Sequence, residues 1–489
     1  MARAIMLQGT GSDVGKTVLV AGLCRLARMR GMNVRPFKPQ NMSNNAAVAE
    51  RPLPDGTFGE IGRAQQLQAL ACGVPSSVDM NPVLLKPQSE VGSQVVVQGR
   101  VVGNAKGRDY QKLKPQLMGA VMDSFERLSA ECDLVIVEGA GSPAEVNLRA
   151  GDIANMGFAT RANVPVVLVG DIDRGGVIAS IVGTHTILPP EDRAMIRGTL
   201  INKFRGDVSL FDEGLTIMER FTGWPGFGVV PYLPEAARLP AEDSVALERA
   251  LAPSAGAFTV VVPVLSRIAN YDDLDPLIAE PGMNVRFVRA NEAFPDSADL
   301  VLLPGSKSTI ADLTELHERG WAAAIVSLAK RDVPVLGICG GYQMLGHSVR
   351  DPDGIEGPAT EARGLGLLDV RTDLVPRKVV RNVSAADPTS GEPMSGYEIH
   401  MGRTHGPDTD RPWLTLDGRP HGATSLNGLV RGCYLHGLFA ADGWRRHFLR
   451  SLGVAAAADG SYAVAVDDAL DAIAGRLGDL VDPAIFELR

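Results

Sequence analysis

The stretch AIMLQGTGSDVGKT, residues 4–17, decides the fold of the first half of this 489-residue chain. An apolar run of strand character leads into a glycine-rich loop that ends in Gly15, Lys16 and Thr17. In such a loop the backbone N–H groups point at phosphate oxygens, a lysine reaches the β- and γ-phosphates, and a hydroxyl holds Mg²⁺. The residues up to Gly31 have apolar side chains three and four positions apart, which predicts a helix. The stretch therefore predicts a nucleotide site between a strand and a helix.

Two residues at strand ends extend this predicted site. Glu138 follows a very apolar run at residues 134–137. Carboxylates at the carboxyl end of a parallel strand face the ligand crevice, so we expect Glu138 to hold the metal. Asn202 ends another run and is the predicted contact to the base. The loop differs from the commonest spacing, because five residues, one of them acidic, lie between its first glycine and Gly15. The nucleotide contacts predicted in the loop are Thr10, Gly11, Asp13, Val14, Gly15, Lys16 and Thr17.

The chain reads as two α/β domains. Short β-rich runs alternate with helical stretches, a rhythm typical of a parallel sheet with helices on both faces. We expect domains at residues 1–235 and 258–445, a Pro- and Ala-rich linker at 236–257 and a helical tail at 446–489. After Leu365 strand and turn signals replace the long helices. The predicted strands are residues 4–7, 134–137, 164–169, 198–201, 227–230, 258–262, 284–288, 300–303 and 333–338.

Composition excludes several classes of protein. No apolar run approaches the ~20 residues that span a bilayer, and the N-terminus lacks a signal-peptide pattern, so we expect a cytoplasmic protein without a membrane partner. The net charge of −9 argues against a nucleic-acid partner, since such proteins present a basic face. Five cysteines without a C-x-x-C pair indicate neither a disulfide framework nor a zinc site. A small-molecule substrate is favoured, and a homo-oligomer is compatible with the sequence.

One cysteine lies in a setting that favours catalysis. In VPVLGICGGYQML a buried strand ends at Cys339, and the flanking glycines have the G-x-nucleophile-x-G form of a nucleophile elbow. The backbone N–H groups that follow, beginning with Gly340, lower the pKa of a thiol there and stabilise an oxyanion. His436, in LVRGCYLHGLF, is the predicted base, and His400, in SGYEIHMGRT, is the competing candidate.

Several motifs of the first half resemble the dethiobiotin-synthetase-like ATPase domain of the cobalamin-pathway amidotransferases. They are GTGSDVGKT, RPFKPQNMSNN, GEIGRAQQLQA, VEGAGSPAEVNL, INKFRGD and VVPYLP. The resemblance implies that ATP activates a carboxylate as an acyl phosphate, which ammonia attacks. It also implies that Lys38 helps to bind the carboxylate or phosphate, and that Glu60 joins Thr17 and Glu138 around Mg²⁺. Gly11 occupies the position where partitioning ATPases carry an extra lysine, which disfavours a dimer switch.

The second half resembles class I glutamine amidotransferase domains, in which a cysteine precedes its histidine by about a hundred residues. The resemblance implies that the thiol attacks the side-chain amide of glutamine and releases ammonia. It also implies that Gly305, after the strand in LVLLPGSKST, supplies a second oxyanion donor beside Gly340. The usual domain completes its triad with His-Pro-Glu, whereas glycine and leucine follow His436. Either His436 works without an orienting acid or another group, conceivably Glu398, supplies one.

Together these resemblances predict an α/β protein, a P-loop NTPase-like doubly wound parallel sheet followed by a class I glutamine amidotransferase-like domain. The motifs to about Ala440 are similar to the branch that makes cobyric acid. This implies ATP- and glutamine-dependent amidation of the b, d, e and g carboxylates of adenosylcobyrinic acid a,c-diamide. Gln40, Asn41 and Ser43, with Lys38, are then predicted substrate contacts. Two alternatives remain open: the sibling enzyme that makes the a,c-diamide, and a nucleotide-dependent regulatory scaffold with a degenerate amidotransferase domain.

Overall fold

The structure is a computed structural model that describes residues 2–89, 92–240, 258–454 and 460–488. Residues 241–257, most of the predicted linker, lie outside the described residues. The strands of the first half are β1 (Arg3–Gly9), β2 (Val34–Phe37), β3 (Gln40–Met42), β4 (Ala46–Val48), β5 (Glu60–Gly62), β6 (Val83–Ser89), β7 (Gly92–Val97), β8 (Arg100–Lys106), β9 (Leu134–Glu138), β10 (Val166–Asp171), β11 (Ile196–Phe204) and β12 (Gly226–Pro231). Its helices are α1 (Lys16–Met29), α2 (Arg63–Cys72), α3 (Gly107–Ala130), α4 (Met156–Ala162), α5 (Val177–Ile187), α6 (Pro190–Arg193) and α7 (Asp212–Thr222).

The first half is built on a six-stranded parallel sheet in the order β12-β11-β10-β1-β9-β2. Successive side chains of β1 pack on opposite faces of the sheet. Ile5 and Leu7 belong to the hydrophobic core that includes α1, and Met6 belongs to the core that includes α3. Burial on both faces explains why the central strands read as continuous apolar runs, and the predicted doubly wound sheet is confirmed. β2, directly before the polar stretch KPQNMSNN, is an edge strand of this sheet, a position that tolerates its proline.

The second half contains a second, mainly parallel sheet in the order β15-β13-β16-β18-β26-β25 and a mainly antiparallel sheet built around the β21–β22 pair. Its strands are β13 (Phe258–Pro263), β14 (Ile268–Ala269), β15 (Met283–Val288), β16 (Leu300–Leu303), β17 (Gly305–Ser306), β18 (Val335–Ile338), β19 (Ser348–Asp351), β20 (Thr360–Arg363), β21 (Arg371–Ala386), β22 (Pro393–His405), β23 (Leu414–Leu416), β24 (Arg419–His421), β25 (Ala423–Thr424) and β26 (Val430–Cys433). Its helices are α8 (Asp275–Ile278), α9 (Thr309–Glu318), α10 (Trp321–Ala329), α11 (Gly340–Leu345) and α12 (Asp442–Ser451), and α13 (Tyr462–Leu480) follows.

The C-terminal helix α13 returns to the first half of the chain. Ile473 and Leu477 are fully buried in the core that also holds α1. At Gly22 of α1, a Cβ atom would lie 2.6 Å from Ile473 Cγ2, so the close approach of the two helices requires glycine there. Within the described parts of the chain, no helix combines the length and apolar character needed to cross a membrane.

Candidate active sites

The loop after β1 has the backbone of a phosphate cradle. Gly15 has φ of 90°, a conformation that favours glycine, and α1 begins immediately after it. The Lys16 ammonium donates hydrogen bonds to the carbonyl oxygens of Gly11, at 3.1 Å, and Gly141, at 3.3 Å. The cation is thereby held over the loop, where the N-terminus of α1 also favours negative charge.

Three polar side chains form hydrogen bonds with the Glu138 carboxylate, next to the start of α1. Its Oε1 atom accepts hydrogen bonds from Thr17 Oγ1 at 2.8 Å and from Lys38 Nζ at 2.8 Å. Gln68 Nε2, on α2, lies 2.5 Å from Glu138 Oε2. The structure thus brings together Thr17, Lys38 and Glu138 as expected, and adds Gln68, which the sequence analysis quoted in a motif but gave no role.

The oxygens of Thr17 and Glu138 fit Mg²⁺, which prefers hard oxygen donors and usually takes only one or two of them from the protein. Among the described residues no group of three or more His, Cys, Asp or Glu side chains is arranged to hold a metal.

Polar side chains near the ends of β10 and β11 lie against the backbone of the phosphate loop. Asn202 Nδ2 donates to the carbonyl oxygen of Val14 at 2.8 Å. Lys203 Nζ contacts the carbonyl oxygen of Asp13 and forms an ion pair with Asp171 Oδ2 at 2.8 Å. Asn202 therefore supports the loop in this structure, and its contact to a base stays a prediction.

The remaining residues predicted to contact ATP or the substrate form hydrogen bonds within the first half of the chain. Thr10 donates its backbone N–H to the carbonyl oxygen of Val169 at 2.9 Å. Gln40 Oε1 accepts from the Tyr110 hydroxyl at 2.5 Å, and Asn41 Nδ2 donates to Gln65 Oε1 at 3.1 Å. Ser43 Oγ accepts the backbone N–H of Asn45 at 3.0 Å. Asn41 and Ser43 are buried, so their predicted role in substrate binding gains no support from these contacts and stays a prediction.

Glu60 lies where the two halves of the chain meet. It forms ion pairs with Lys86, at 2.9 Å, and with Lys378 of β21, at 2.5 Å. Burial alone would raise the pKa of Glu60, but the two ammonium groups outweigh it and lower the pKa to about 2. Burial in turn lowers the pKa of Lys378 to about 8, against the attraction of Glu60. The predicted metal role of Glu60 stays a prediction, since its carboxylate here pairs with two cations.

Cys339 occupies a sharp turn between β18 and α11. Its φ of 53° and ψ of −110° are strained for a residue with a side chain, as expected of a nucleophile elbow. Gly341 is required in the same turn, because a Cβ there would collide with the carbonyl oxygen of Leu303. The sulfur lies 3.6 Å from the carbonyl oxygen of Ile399 and lines a cavity that also receives side chains from the first half of the chain.

The loop after β16 lies against the nucleophile turn. A Cβ on Gly340 would be 2.8 Å from the backbone nitrogen of Ser306, and a Cβ on Gly305 would be 3.3 Å from His436 Cε1. Both predicted oxyanion residues therefore adjoin the thiol and its histidine. Whether their N–H groups bind an oxyanion stays a prediction.

His436 has an acidic partner that sequence reasoning missed. Its Nδ1 atom lies 2.7 Å from Asp273 Oδ2, and Asp273 Oδ1 accepts the backbone N–H of Gly437 at 2.6 Å. Burial opposes protonation of His436, but Asp273 and Cys339 outweigh it and raise its pKa to about 10. The imidazole thus interacts with a carboxylate and a thiol, which is the order of a catalytic triad.

The suggestion that Glu398 orients His436 is wrong. Glu398 forms an ion pair with Arg381 and faces His400, 3.5 Å away, and His421, 3.8 Å away. The preceding residue of β22, Tyr397, stacks on the His436 ring. Successive residues of a strand point to opposite faces, so Glu398 points away from His436. His400 is stacked on Tyr434, with ring centroids 3.8 Å apart.

No local signal could have found Asp273. It lies in a single 3₁₀ turn, Tyr271–Leu274, 163 residues before His436 in the chain. Three acidic residues occur within this short stretch, NYDDLDP, and such runs normally indicate a solvated surface. The structure instead buries Asp272 and Asp273, each 5% exposed, between the two halves of the chain.

Known proteins resemble the chain over its whole length. Residues 5–246 match the family described as the CobQ/CobB/MinD/ParA nucleotide binding domain, and residues 259–444 match the CobB/CobQ-like glutamine amidotransferase domain. A cobyric acid synthase of Rhizobium leguminosarum bv. trifolii is 65% identical over 483 residues, 99% of this chain and 98% of that protein. A cobyric acid synthase of Brucella suis biovar 1 is 64% identical over 482 residues, again 99% and 98% of the two chains.

Among solved structures, PurLQS from Thermotoga maritima matches with a TM-score of 0.30 and 18% identity, covering 44% of this chain and 97% of that chain. A likeness this slight adds nothing to the family relationship.

Proposed function

Because the chain belongs to the cobyric acid synthase family, we propose that its two sites divide one amidation reaction between them. Members of this family are glutamine-hydrolysing ligases of cobalamin biosynthesis, and this chain uses ATP and glutamine to amidate a corrinoid. The assignment of residues to steps is our proposal. The observation that carries it is the 2.7 Å interaction of His436 with Asp273, with His436 and Cys339 lining one cavity that side chains of the nucleotide-binding half also line.

In the glutaminase site, Asp273 orients His436 and stabilises its protonated form. With a pKa of about 10, His436 is an imidazolium at neutral pH and places a positive charge next to the Cys339 sulfur. The thiolate attacks the side-chain carbonyl carbon of glutamine, and the backbone around Gly305 and Gly340 stabilises the oxyanion. His436 gives its proton to the departing nitrogen, ammonia leaves, and a thioester forms. Water activated by His436 then hydrolyses the thioester to glutamate.

In the synthetase site, Lys16 and the loop bind the phosphates of ATP, and Lys38 neutralises charge on the substrate carboxylate or the transferred phosphoryl group. Thr17 and Glu138 would hold Mg²⁺, which neutralises phosphate charge when it is bound. The substrate carboxylate attacks the γ-phosphorus of ATP, which releases ADP and forms an acyl phosphate. Ammonia then attacks the acyl carbon, and phosphate and a proton leave as the amide forms. Free ammonia would be protonated in neutral water, so the two sites require a protected passage between them.

The finer substrate assignment follows the family name. We propose that the chain amidates the b, d, e and g carboxylates of adenosylcobyrinic acid a,c-diamide, and that it acts in the cytoplasm. Mass spectrometry of corrinoid products made with ATP and glutamine tests this proposal. Addition of four amides is the expected result, whereas amidation of the a and c carboxylates alone would assign the chain to the sibling reaction. The scaffold alternative depended on the absence of a glutamate after His436. Asp273 lies beside His436 in its place, so that argument for a degenerate amidotransferase domain no longer applies.

A Cys339→Ala variant tests the division of labour. We expect it to lose glutamine-supported amidation and to keep amidation supported by ammonium salts, since only the nitrogen source is removed. The matched variant Lys16→Ala should lose both activities. A folded Cys339→Ala protein that loses ammonium-supported turnover as well would contradict the proposal.

A further inference from the structure

We propose that Arg63, on α2 of the nucleotide-binding half, is a positioning residue for the glutaminase triad of the other half. This inference rests on the proposed role of Asp273. Arg63 belongs to the EIGRAQ motif, to which the reaction described above assigns no chemistry. It does not touch the reacting atoms and acts through the acidic turn that holds Asp273.

Arg63 reaches the residue next to the triad acid. Its Nε atom lies 2.8 Å from Asp272 Oδ2, and the Asp272 side chain is only 3% exposed. The peptide bond joins Asp272 to Asp273, whose two oxygens bind His436 and the N–H of Gly437. A shift of the turn at Asp272 therefore moves the carboxylate that orients His436.

The same turn is fixed to the first half at a second point. Asn270, which precedes it, donates its backbone N–H to Asn45 Oδ1 at 2.7 Å. Its side-chain amide accepts from the N–H of Ala46 at 3.1 Å and donates to the carbonyl oxygen of Ala46 at 3.0 Å. The backbone N–H of Arg63 donates to the carbonyl oxygen of Asn45 at 3.2 Å, so both anchors belong to one local structure. The nucleotide-binding half thus holds the triad turn from two directions.

Charge gives Arg63 a specific task in this arrangement. Burial and the neighbouring Asp273 raise the pKa of Asp272, and Arg63 acts against both. Two adjacent buried carboxylates repel each other, and each has its own cation: Arg63 for Asp272 and His436 for Asp273. Without Arg63, the Asp272 carboxylate would either compete with Asp273 for the interaction with His436 or take up a proton. Either change disturbs the geometry or the charge of the triad.

Helix α2 also reaches the other active site. Gln68, five residues after Arg63, contacts Glu138 beside the start of α1. At 1.5 Å per residue the two side chains leave the helix about 7.5 Å apart along its axis. One short helix therefore contacts the acidic turn of the glutaminase triad through its first residue and the nucleotide site through a residue near its middle.

The test measures glutamine hydrolysis and ammonium-supported amidation in the full-length protein. We expect Arg63→Ala to lower kcat for glutamine hydrolysis by about tenfold to a hundredfold, the usual effect of losing a hydrogen bond to a charged group. The KM for glutamine and the ammonium-supported rate should stay near wild type. Arg63→Lys, which keeps the charge, should recover part of kcat. Arg51→Ala, which breaks an exposed ion pair with Glu131 in the same half, is the matched control and should change neither rate.

Two results would overturn the proposal. One is wild-type glutamine hydrolysis by folded Arg63→Ala or, if that variant does not fold, by Asp272→Asn. The other is an equal loss of both activities, which is the pattern of a structural role. Asp273→Asn assayed in parallel separates the two proposals. If Asp273→Asn hydrolyses no glutamine while Arg63→Ala hydrolyses it at the wild-type rate, the role of Asp273 is supported and only the role of Arg63 is contradicted.

Discussion

The replacement Asp273→Asn tests the least expected part of the site. The substitution keeps the volume of the side chain and removes its charge. The side chains of His436 and Asp273 are only 2% and 4% exposed, and His436 Nδ1 lies 2.7 Å from Asp273 Oδ2. The interaction is therefore almost fully shielded from water. We expect glutamine hydrolysis to fall sharply while the synthetase half keeps working.

The expected loss follows from burial. Breaking a buried ion pair by removing one partner costs about 3–5 kcal/mol. If the imidazolium loses that stabilisation in the transition state, kcat falls by roughly 10² to 10⁴, at about 1.4 kcal/mol for each factor of ten. General acid–base groups typically contribute about the same factor.

The assay measures glutamate release, with ammonium-supported amidation as the internal control. Glu398→Gln is the matched variant, since Glu398 is also a buried carboxylate near the cavity but contacts His400 and His421 rather than His436. We expect its glutaminase loss to be far smaller. Glutamine hydrolysis by Asp273→Asn at a wild-type rate would refute the triad.

The pH dependence of stability gives a second readout. The pKa of His436 is raised from 6.5 to about 10 in the folded protein. A raised pKa stabilises the fold below the unfolded value, so this contribution is complete below about pH 6.5 and is lost as the pH rises through about 10. Asp273→Asn should flatten this region of the profile, as measured by urea unfolding.

Three further variants test other parts of the structure. Glu60→Gln leaves two buried lysines unpaired, and we expect it to lower the free energy of unfolding at neutral pH by about 3 kcal/mol. Because the pKa of Glu60 is lowered from 4.5 to about 2, the wild-type stabilisation is complete above about pH 4.5 and is lost as the pH falls through about 2. Glu138→Gln should raise the Mg²⁺ concentration needed for half-maximal ammonium-supported amidation by about tenfold, since a charged oxygen ligand is lost. Ile473→Ala should cost about 2–5 kcal/mol of unfolding free energy by opening a cavity against α1, without changing kcat.

Each of these variants has a contrary outcome. A higher Mg²⁺ requirement for Glu60→Gln would support the metal role predicted from sequence over the ion pairs seen here. An unchanged Mg²⁺ requirement for Glu138→Gln would remove Glu138 from the metal site. Urea unfolding of Ile473→Ala at the wild-type midpoint would show that α13 does not stabilise the first half.

Residues close together in the chain were predictable, because their chemistry depends on local geometry. The phosphate loop, the turn at Cys339 and the central strands are each defined within about ten residues of sequence, where glycine spacing and apolar runs carry the information. Glu398 was a conceivable orienting acid for His436, but its carboxylate instead faces Arg381, His400 and His421.

The sequence by itself therefore determined the fold class and the family, and it predicted the nucleophile, its histidine and the phosphate loop, since each lies in a short pattern with its own physical reason. Only the tertiary structure showed that Asp273 lies beside His436 and that Arg63 pairs with the adjacent Asp272. Asp273 is 163 residues from His436 in the chain, and Arg63 belongs to the other half. Contacts of this kind depend on how two domains pack, and neither residue periodicity nor turn chemistry encodes them.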